Sequence, residues 1–313
     1  MKKSYRIIYM GTPEFAVPSL ERLESDGHNV ICVITQPDRE RGRGKKMTFS
    51  PVKEKAVELG MEVFQPERIR SIESIKYIAS LCPDLLVTCA YGQILPQKLL
   101  DIPPYGCINV HASLLPKYRG AAPIQRCILN GDKRTGITTM MTDAGMDTGD
   151  ILLKRDIEIP VDMTAGELHD ELMLLGADVL SETLAALASG NLKRISQNDD
   201  EATHAPMLRK EESIVNWEQD SLSIHNKVRA LDPWPGCFTD YKGKRMRITK
   251  STFRQDNRKE EPGTLVGTSA EGLEIACGTG ILVVLGIQFE NGRRMDSASC
   301  WHNFIAGDVF GEG

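Results

Sequence analysis

Residues 5–160 alternate short apolar runs with amphipathic stretches, and this alternation restricts the fold more than any other feature of the sequence. It is typical of βαβ units, in which helices connect parallel strands and cover the sheet. The pattern therefore predicts a doubly wound, mostly parallel Rossmann-like α/β domain. The predicted strands are Arg6–Met10, Val30–Thr35, Leu85–Thr88 and Cys107–Val110, and the predicted helices are Pro13–Ser25, Pro51–Leu59 and Ile72–Ser80.

The second half of the chain follows a different pattern. Residues Thr164–Leu187 repeat leucine and valine at helical spacing, and Glu167 lies three positions after Thr164, which predicts a long helix that begins with a capping box. Beyond residue 209, one predicted helix at Leu222–Leu231 precedes short apolar runs separated by glycines, the pattern of a small OB-like β-barrel. We therefore expect a first domain at 1–189, a linker at 190–208 and a C-terminal domain at 209–313.

The composition excludes several classes of protein. Of 313 residues, 41% are hydrophobic and 26% are charged, which is ordinary for a folded protein of two domains. The amino terminus lacks the features of a signal peptide, and no apolar run is long enough to span a bilayer. The eight cysteines are scattered and form no Cys-x-x-Cys pair, so we expect reduced thiols in a cytoplasmic protein.

The first predicted strand leads into Gly11-Thr12-Pro13-Glu14-Phe15, where a dinucleotide-binding fold would carry Gly-x-Gly-x-x-Gly. The glycines of that fingerprint let the backbone approach a pyrophosphate. Because the fingerprint is absent here, an enzyme that uses a nicotinamide cofactor is disfavoured.

Polar side chains that suit acyl transfer lie at the end of the fourth predicted strand. Asn109 and His111 are two positions apart, so they point to the same side of the strand, at the sheet edge where open α/β folds bind ligands. An amide can donate to a developing oxyanion, and an imidazole can donate or exchange a proton. Asp147, in the acidic segment 143–150, is a candidate to orient the imidazole.

These residues also have structural interpretations. A single histidine on a strand often forms structural hydrogen bonds and has no functional role. A titratable residue in an unusual environment marks a functional site in only some cases. The acidic segment 143–150 could be a metal site or a simple Asp/Gly turn, although its spacing does not match a calcium-binding loop. The residues alone leave these alternatives open.

The wider context resembles the folate-dependent formyltransferase family. The motifs that carry the resemblance are Asn109-x-His111-x-Ser113-Leu114-Leu115-Pro116-x-Tyr118-Arg119-Gly120 and Asp147-Thr148-Gly149-Asp150. The resemblance implies 10-formyltetrahydrofolate as the formyl donor, no metal, and catalytic roles for Asn109, His111 and Asp147. It also implies a folate pocket at the strand ends, whose expected residues are Cys89, Ala90, Tyr91, Gly92, Gln93, Ile94, Leu95, Ser113, Leu114, Leu115, Pro116 and Asp143.

The net charge of −5 conceals two basic clusters. Residues 39–46 hold five basic side chains against one acidic side chain, and residues 241–259 hold eight against Asp256. Each cluster could be an ordinary solvated surface. Basic clusters on an acidic protein also suit a phosphate backbone, so together they favour a nucleic-acid substrate.

Further segments resemble those members of the family that formylate methionyl initiator tRNA for translation initiation. These segments are Phe15-Ala16-Val17-Pro18, Gln36-Pro37-Asp38-Arg39, Ser50-Pro51-Val52-Lys53 and Leu231-Asp232-Pro233-Trp234-Pro235-Gly236. The resemblance implies a monomer whose 39–46 loop lies against the acceptor stem, with Arg43 as the leading contact, and whose C-terminal barrel binds tRNA. The expected tRNA-binding residues are Arg41, Arg43, Lys45, Lys46, Lys210, Lys244, Arg245 and Arg247.

One segment departs from the family pattern, since His204-Ala205-Pro206-Met207 stands where relatives commonly have Tyr-Ala-Pro-Lys. A tRNA-facing lysine is then missing, and Arg209 and Lys210 lie close enough to replace it. Two other functions stay open: a formyltransferase for a small amine, such as an amino-sugar nucleotide or a purine precursor, and a nucleic-acid-binding module that has lost activity. The basic clusters argue against the first, and the polar trio argues against the second.

Overall fold

The computed structural model describes residues 4–41, 46–256, 260–269 and 271–311. The α-helices among them are α1 Val17–Ser25, α2 Pro51–Glu58, α3 Ile72–Ser80, α4 Gln97–Leu100, α5 Pro123–Leu129, α6 Ala165–Ala188, α7 Ser221–Ala230 and α8 Ser297–Cys300. The strands up to residue 158 are β1 Arg6–Gly11, β2 Asn29–Ile34, β3 Arg39–Arg41, β4 Lys46–Thr48, β5 Val63–Phe64, β6 Leu85–Cys89, β7 Cys107–His111, β8 Arg134–Met141 and β9 Ile151–Glu158. The later strands are β10 Cys237–Tyr241, β11 Lys244–Arg254, β12 Leu265–Thr268, β13 Leu273–Ala276, β14 Ile281–Phe289 and β15 Met295–Asp296.

The first large sheet has the strand order β5-β2-β1-β6-β7-β8-β9. Neighbours from β5 to β7 run parallel, and β8 runs antiparallel to β7. The register pairs Gly11 with Cys89 and Cys89 with Val110, so the carboxyl ends of the three central strands lie at one edge of the sheet. The predicted doubly wound, mostly parallel α/β fold is confirmed, and it places Asn109 and His111 at that edge.

The long helix α6 begins with the capping box that the sequence predicts. The Glu167 amide donates to Thr164 Oγ1 at 3.2 Å, and the Thr164 amide donates to Glu167 Oε2 at 2.8 Å. The bonds from Thr164 lower the pKa of the Glu167 carboxyl. The residues of the apolar stripe, Leu168, Leu172, Val179 and Leu180, are fully buried, so the helix forms because its first turn is capped and one of its faces is apolar.

The second large sheet is antiparallel, with the order β10-β11-β14-β13-β12 and β15 paired to β14. Its strands bury one apolar face in a core that also includes Trp217 and two residues of α7. Bridges from Phe310 to Tyr241 and from Val309 to Thr264 place the chain end between the two edges of this sheet. An end segment that covers open edges in this way favours closure toward a barrel, and the expected small β domain is confirmed.

By its internal contacts the chain divides into two compact units, each discontinuous in sequence. The first unit comprises residues 1–120, 135–157 and 169–205, and the second comprises residues 121–134, 158–168 and 206–313. The domain limits expected from the sequence, 1–189, 190–208 and 209–313, stay predictions. No helix within the described residues is long and apolar enough to cross a membrane.

Candidate active site

Strand β7 presents Asn109 with a fixed amide orientation. Thr88 Oγ1 on the neighbouring strand β6 donates to Asn109 Oδ1 at 2.9 Å. The amide nitrogen Nδ2 then lies 3.5 Å from Oδ1 of Asp147. Asn109 therefore offers a donor on the same side as the Asp147 carboxylate.

His111 is buried and has two different environments at its ring nitrogens. Nε2 lies 3.0 Å from the carbonyl oxygen of Tyr118, and because a carbonyl can only accept, Nε2 must carry a proton. Nδ1 lies 3.6 Å from Oδ2 of Asp147. Nδ1 and Oδ2 therefore face each other across a position suited to one proton.

Asp147 reaches this position from the loop that connects β8 to β9. The Gly120 amide donates to Asp147 Oδ2 at 2.8 Å, so the carboxylate meets a backbone donor as well as Asn109 and His111. Within the loop, Asp143 accepts from Thr148 Oγ1 at 2.7 Å and from the Gly145 amide at 3.1 Å. These local bonds give an exposed acidic loop a defined shape.

The structure thus brings together the three residues expected to be catalytic. An amide donor can stabilise negative charge on a carbonyl oxygen, and a ring nitrogen beside a carboxylate can take up and release a proton. Transfer of an acyl group to an amine requires both stabilisation of the oxyanion and proton transfer. The catalytic roles themselves stay predictions.

Backbone strain concentrates around the same residues. Of the six non-glycine residues with positive φ that the structure describes, three lie on segments of this site: Ala90 at 47°, Tyr118 at 61° and Asp147 at 56°. A left-handed backbone costs a residue with a side chain about 1–2 kcal/mol. Such strain persists only where surrounding contacts hold it, and it is commonly found at functional sites.

The expected folate segment after β6 is partly buried. Burial raises the pKa of the Cys89 thiol to about 12, so this residue is a neutral packing group at ordinary pH and no nucleophile. The Tyr91 side chain is also buried, and its hydroxyl has no hydrogen-bond partner among the described residues. Ile94, in contrast, is 81% exposed.

The backbone of this segment is open for a ligand. Gly92–Leu95 form no backbone–backbone hydrogen bond with any residue that the structure describes. Tyr91 is held through its carbonyl oxygen, which accepts from Thr12 Oγ1 at 2.9 Å and from Gln36 Nε2 at 3.2 Å. A pterin ring has an edge of alternating donors and acceptors, so unpaired amides and carbonyls beside an unsatisfied tyrosine hydroxyl fit such a group.

The second expected folate segment is mostly engaged within the protein. Ser113 Oγ donates to the Lys117 carbonyl at 2.6 Å, the Leu115 amide donates to Thr138 Oγ1 at 3.1 Å, and Lys154 donates to the Leu115 carbonyl. Both Ser113 and Leu115 are fully buried, whereas the other two residues of the segment, Leu114 and Pro116, are half-buried. We expect any contact of this segment with folate to come from the half-buried pair.

A surface depression of about 500 Å³ lies apart from this site. It is lined by residues between β5 and α3, including Phe64, Glu67, Arg68 and Tyr77. Strand β5 is an edge strand of the sheet, and three strands separate it from β7. Because none of the trio lines it, we assign it no role in catalysis.

The residues expected to bind tRNA fall into three groups. Arg43 and Lys45 lie outside the described residues, as do the side chains of Arg41 and Lys46. Lys210, Lys244 and Arg245 are exposed, and the guanidinium of Arg245 lies over the Phe238 ring at 4.3 Å. Arg247 is instead held by the protein, since Nη2 donates to Asp232 Oδ1 at 2.8 Å and to the Pro233 carbonyl at 2.7 Å.

The structure also reveals contributors that the sequence did not single out. Thr88 fixes the Asn109 amide, and the residues from Tyr118 to Gly120 contact His111 and Asp147 through their backbone. Gln197 donates to two carbonyl groups of the Asp147 loop from a polar segment expected to be a linker. Backbone groups leave no signature in side-chain patterns, and a glutamine in a polar segment gives no signal of its own.

Within the described residues, no three histidine, cysteine or acidic side chains cluster in a way that could hold a metal ion. All eight cysteines are free thiols, and seven of them are buried.

Comparisons with known proteins identify the family of the chain. Residues 5–184 match the family described as formyl transferase, and residues 207–304 match its C-terminal domain. The methionyl-tRNA formyltransferase of Acetivibrio thermocellus is 53% identical over 310 residues, covering 98% of this chain and 100% of that one. The protein of the same name from Caldanaerobacter subterraneus is 52% identical over 291 residues, covering 93% and 94%.

Solved structures share the fold at lower identity. The N-formyltransferase from Helicobacter canadensis, solved with folinic acid and dTDP-3-aminofucose, has a TM-score of 0.67 at 20% identity and covers 89% of this chain and 98% of its own. HypX from Aquifex aeolicus, in complex with tetrahydrofolic acid, has a TM-score of 0.63 at 18% identity, covering 95% and 47%. The resemblance found in the sequence is confirmed: the chain belongs to the formyltransferase family, among the methionyl-tRNA formyltransferases.

Proposed function

We propose that this protein transfers the formyl group of 10-formyltetrahydrofolate to the α-amino group of methionyl initiator tRNA, a step in translation initiation. The observation that carries the proposal is the convergence of Asn109 Nδ2 and His111 Nδ1 on the Asp147 carboxylate, at 3.5 and 3.6 Å. Membership of the family supports the donor and the acceptor. The site of action is the cytoplasm, and the working unit is a monomer.

In the proposed mechanism, the α-amine attacks the formyl carbon, and negative charge develops on the formyl oxygen. Asn109 Nδ2 donates to that oxygen, because Thr88 occupies Oδ1 and keeps the nitrogen turned toward the site. His111 donates to the same oxygen when Nδ1 carries a proton. A donor that is already oriented stabilises the charge without reorganising.

His111 and Asp147 also handle the proton of the amine. Since Nε2 is engaged by the Tyr118 carbonyl, only Nδ1 is free to change its protonation, and it faces Asp147 Oδ2. A proton taken up from the amine at Nδ1 forms an imidazolium beside a carboxylate, which stabilises it. The tetrahedral intermediate then collapses as the bond between the formyl carbon and N10 of the folate breaks, and the proton held at Nδ1 passes to N10 of the departing tetrahydrofolate. The Gly120 amide fixes the carboxylate during this exchange.

The formyl donor supplies the one-carbon group, and the segment 89–95 holds its pterin ring. The open backbone groups of Gly92–Leu95 bind the donor–acceptor edge of the ring, and the exposed Ile94 contacts its face. The loop that contains Asp143 and the half-buried Leu114 and Pro116 border the ring on the other side.

For the acceptor, we assign tRNA contacts to the 39–46 loop and to the domain 209–313, where Lys210, Lys244 and Arg245 are exposed. Exposed cations bind phosphate oxygens and release counterions. Replacing Arg43 with alanine should raise the KM for tRNA or lower kcat while the affinity for folate stays unchanged. Equal losses for both substrates would instead indicate a folding defect.

The decisive experiment measures formyl transfer from 10-formyltetrahydrofolate to charged initiator tRNA, charged elongator tRNA and free methionine. We expect product with initiator methionyl-tRNA alone. Formylation of a small amine, such as an amino-sugar nucleotide, in place of the tRNA would overturn the assigned acceptor and leave the donor assignment intact. No turnover with any amine would contradict the enzymatic function.

A further inference from the structure

Gln197 connects the Asp147 loop to a buried arginine. Its Nε2 donates to the carbonyl oxygens of Asp147 and Gly149, both at 2.8 Å. Its Oε1 accepts from Arg119 Nε at 3.1 Å and from Arg119 Nη2 at 2.8 Å. The side-chain amide has two donor hydrogens and one acceptor oxygen with two lone pairs, so every hydrogen-bonding position of Gln197 is used.

Arg119 is itself held in place. It is 5% exposed, its amide donates to the Thr203 carbonyl at 2.9 Å, and its carbonyl accepts from the Ala205 amide at 2.7 Å. Its Nη2 also donates to Asp199 at 2.8 Å, whose side chain is 82% exposed. The guanidinium is planar and presents its donors in a fixed arrangement, so Arg119 gives Gln197 a rigid support.

Three successive residues therefore contact three different parts of the site. Tyr118 accepts from the His111 ring, Arg119 holds Gln197, and the Gly120 amide donates to the Asp147 carboxylate. The same short segment thus fixes the ring, the loop backbone and the carboxylate. A shift of the loop relative to this segment would change the separation of His111 and Asp147.

We propose that Gln197 and Arg119 are positioning residues for the reaction, which hold the loop backbone so that the Asp147 carboxylate stays opposite Nδ1 of His111. Neither side chain touches the reacting atoms. Asp147 needs such support because its backbone is left-handed, and the preceding loop residues 143–146 are exposed. This inference rests on the proposed function, in which Asp147 assists proton transfer.

Gln197→Glu separates this role from a purely structural one. The glutamate side chain has nearly the same shape and can still accept from Arg119, but it presents oxygen to the two loop carbonyls that Gln197 holds. We expect kcat to fall about tenfold or more, because misplacing a catalytic group by about 1 Å can cost about a hundredfold. The KM for tRNA and the melting temperature should stay close to wild-type values.

Asn198→Asp is the matched control. It adds the same charge one residue away and keeps the bond that Asn198 Oδ1 accepts from the Asp200 amide at 3.1 Å, losing only the exposed bond from Nδ2 to Glu201 Oε1. This variant should keep wild-type kcat. Hydrogen–deuterium exchange on the free protein supplies a second measurement: amides of residues 142–150 should exchange faster in Gln197→Glu and unchanged in Asn198→Asp.

Two further variants make the outcomes distinct. Wild-type kcat and unchanged exchange in Gln197→Glu would overturn the inference, and if that variant fails to fold, Gln197→Ala tests the same loss of kcat. Asp147→Asn is the reference for the proposed function. A low kcat in Asp147→Asn with a normal kcat in Gln197→Glu removes only the positioning role, whereas normal kcat in Asp147→Asn removes the role of Asp147 and the inference with it.

Discussion

Two buried histidines, one in each compact unit, differ in the partners of their ring nitrogens. His225 is 2% exposed, with Nδ1 at 3.1 Å from Ser251 Oγ and Nε2 at 2.9 Å from the Val161 carbonyl. His111 is 6% exposed, and its second nitrogen faces the Asp147 carboxylate at 3.6 Å. Burial therefore does not distinguish His225 from His111, for which we propose a catalytic role, whereas the partner of the second ring nitrogen does.

The carboxylates beside the two rings sharpen this contrast. Asp162 lies 3.6 Å from Nε2 of His225, but its side chain is 70% exposed, and that nitrogen is already bound to the Val161 carbonyl. The Asp147 side chain is 17% exposed and is fixed by the Gly120 amide. Water screens the first carboxylate, whereas the second interacts with its ring over the same distance in a less polar setting.

The largest expected effect is that of His111→Gln on turnover. Glutamine can keep a donor for the Tyr118 carbonyl and lacks the second ring nitrogen, so the structural bond survives and the proton position is lost. We expect kcat to fall by roughly a hundredfold to ten-thousandfold, the usual range for loss of an acid–base group. Single-turnover formylation of methionyl-tRNA measures this. The matched variant His225→Gln should keep kcat, and a large loss there would break the comparison.

The second largest effect is expected for Asn109→Ala. Loss of one donor to a developing oxyanion costs about a hundredfold or more in kcat. Asn109→Asp should be equally impaired, because it replaces the Nδ2 donor with oxygen while filling the same space. If Asn109→Asp kept most of the activity, the residue would serve packing, and its donor would have no part in the reaction.

The periodicity of apolar residues predicted most helices and strands of the first domain. The helix predicted at Ile72–Ser80 matches α3, and the strand predicted at Cys107–Val110 falls one residue short of β7. The predicted helix Pro13–Ser25 instead begins as a 3-10 turn at Glu14–Ala16 before α1. A proline near each start permits either geometry, so the pattern alone could not decide between them.

The site could be predicted only in part. Asn109 and His111 were found because strand alternation places them on one side, and Asp147 was a candidate because a carboxylate in the acidic segment 143–150 could orient the imidazole. The roles of the Gly120 amide and the Tyr118 carbonyl depend on left-handed and glycine backbone conformations, which no side-chain pattern encodes. Gln197 acts across 50 positions of sequence from Asp147, and such a contact emerges only in three dimensions.

A third prediction concerns the stability that His225 confers. Burial lowers the pKa of His225 below its ordinary value of 6.5. The unfolded chain binds a proton below about pH 6.5, whereas the folded ring binds it only at lower pH. This stability is therefore fully present above about pH 6.5 and is lost as the pH falls from there through the lower pKa of the folded ring. His225→Gln should lower the free energy of unfolding by about 1–3 kcal/mol near neutral pH.

The pH dependence of that difference is the critical measurement. Denaturant unfolding of wild type and His225→Gln from about pH 7.5 to about pH 5 should show the gap between them narrowing as the pH falls. A gap that widened toward acid pH would mean that the folded protein prefers the charged ring. His225 would then resemble a titrating site, and the contrast with His111 would be lost.

The smallest expected effects concern the basic residues of β11. As with the two histidines, we expect the partners of each side chain to show whether it is structural or functional. Arg247 is bound to Asp232 and Pro233, whereas Lys244 and Arg245 have no acidic partner among the described residues. Arg247→Ala should therefore destabilise the protein by about 1–3 kcal/mol, since it leaves polar groups without their donor. Arg245→Ala should change stability by about 0.5 kcal/mol or less.

For tRNA binding we expect the opposite order, in which Lys244 and Arg245 contribute more than Arg247. Removing Lys244 and Arg245 together should reduce the slope of log affinity against log salt by about 1.5, because each phosphate contact contributes about 0.7–0.9. Binding measured between about 50 and 200 mM salt tests this, with kcat at saturating tRNA unchanged. A slope that persisted in the double variant but fell in Arg247→Ala would mean that an arginine held by protein partners also serves the nucleic acid. The identity of a side chain's partner would then no longer separate structural from functional residues on this strand, although it would still do so for the two histidines.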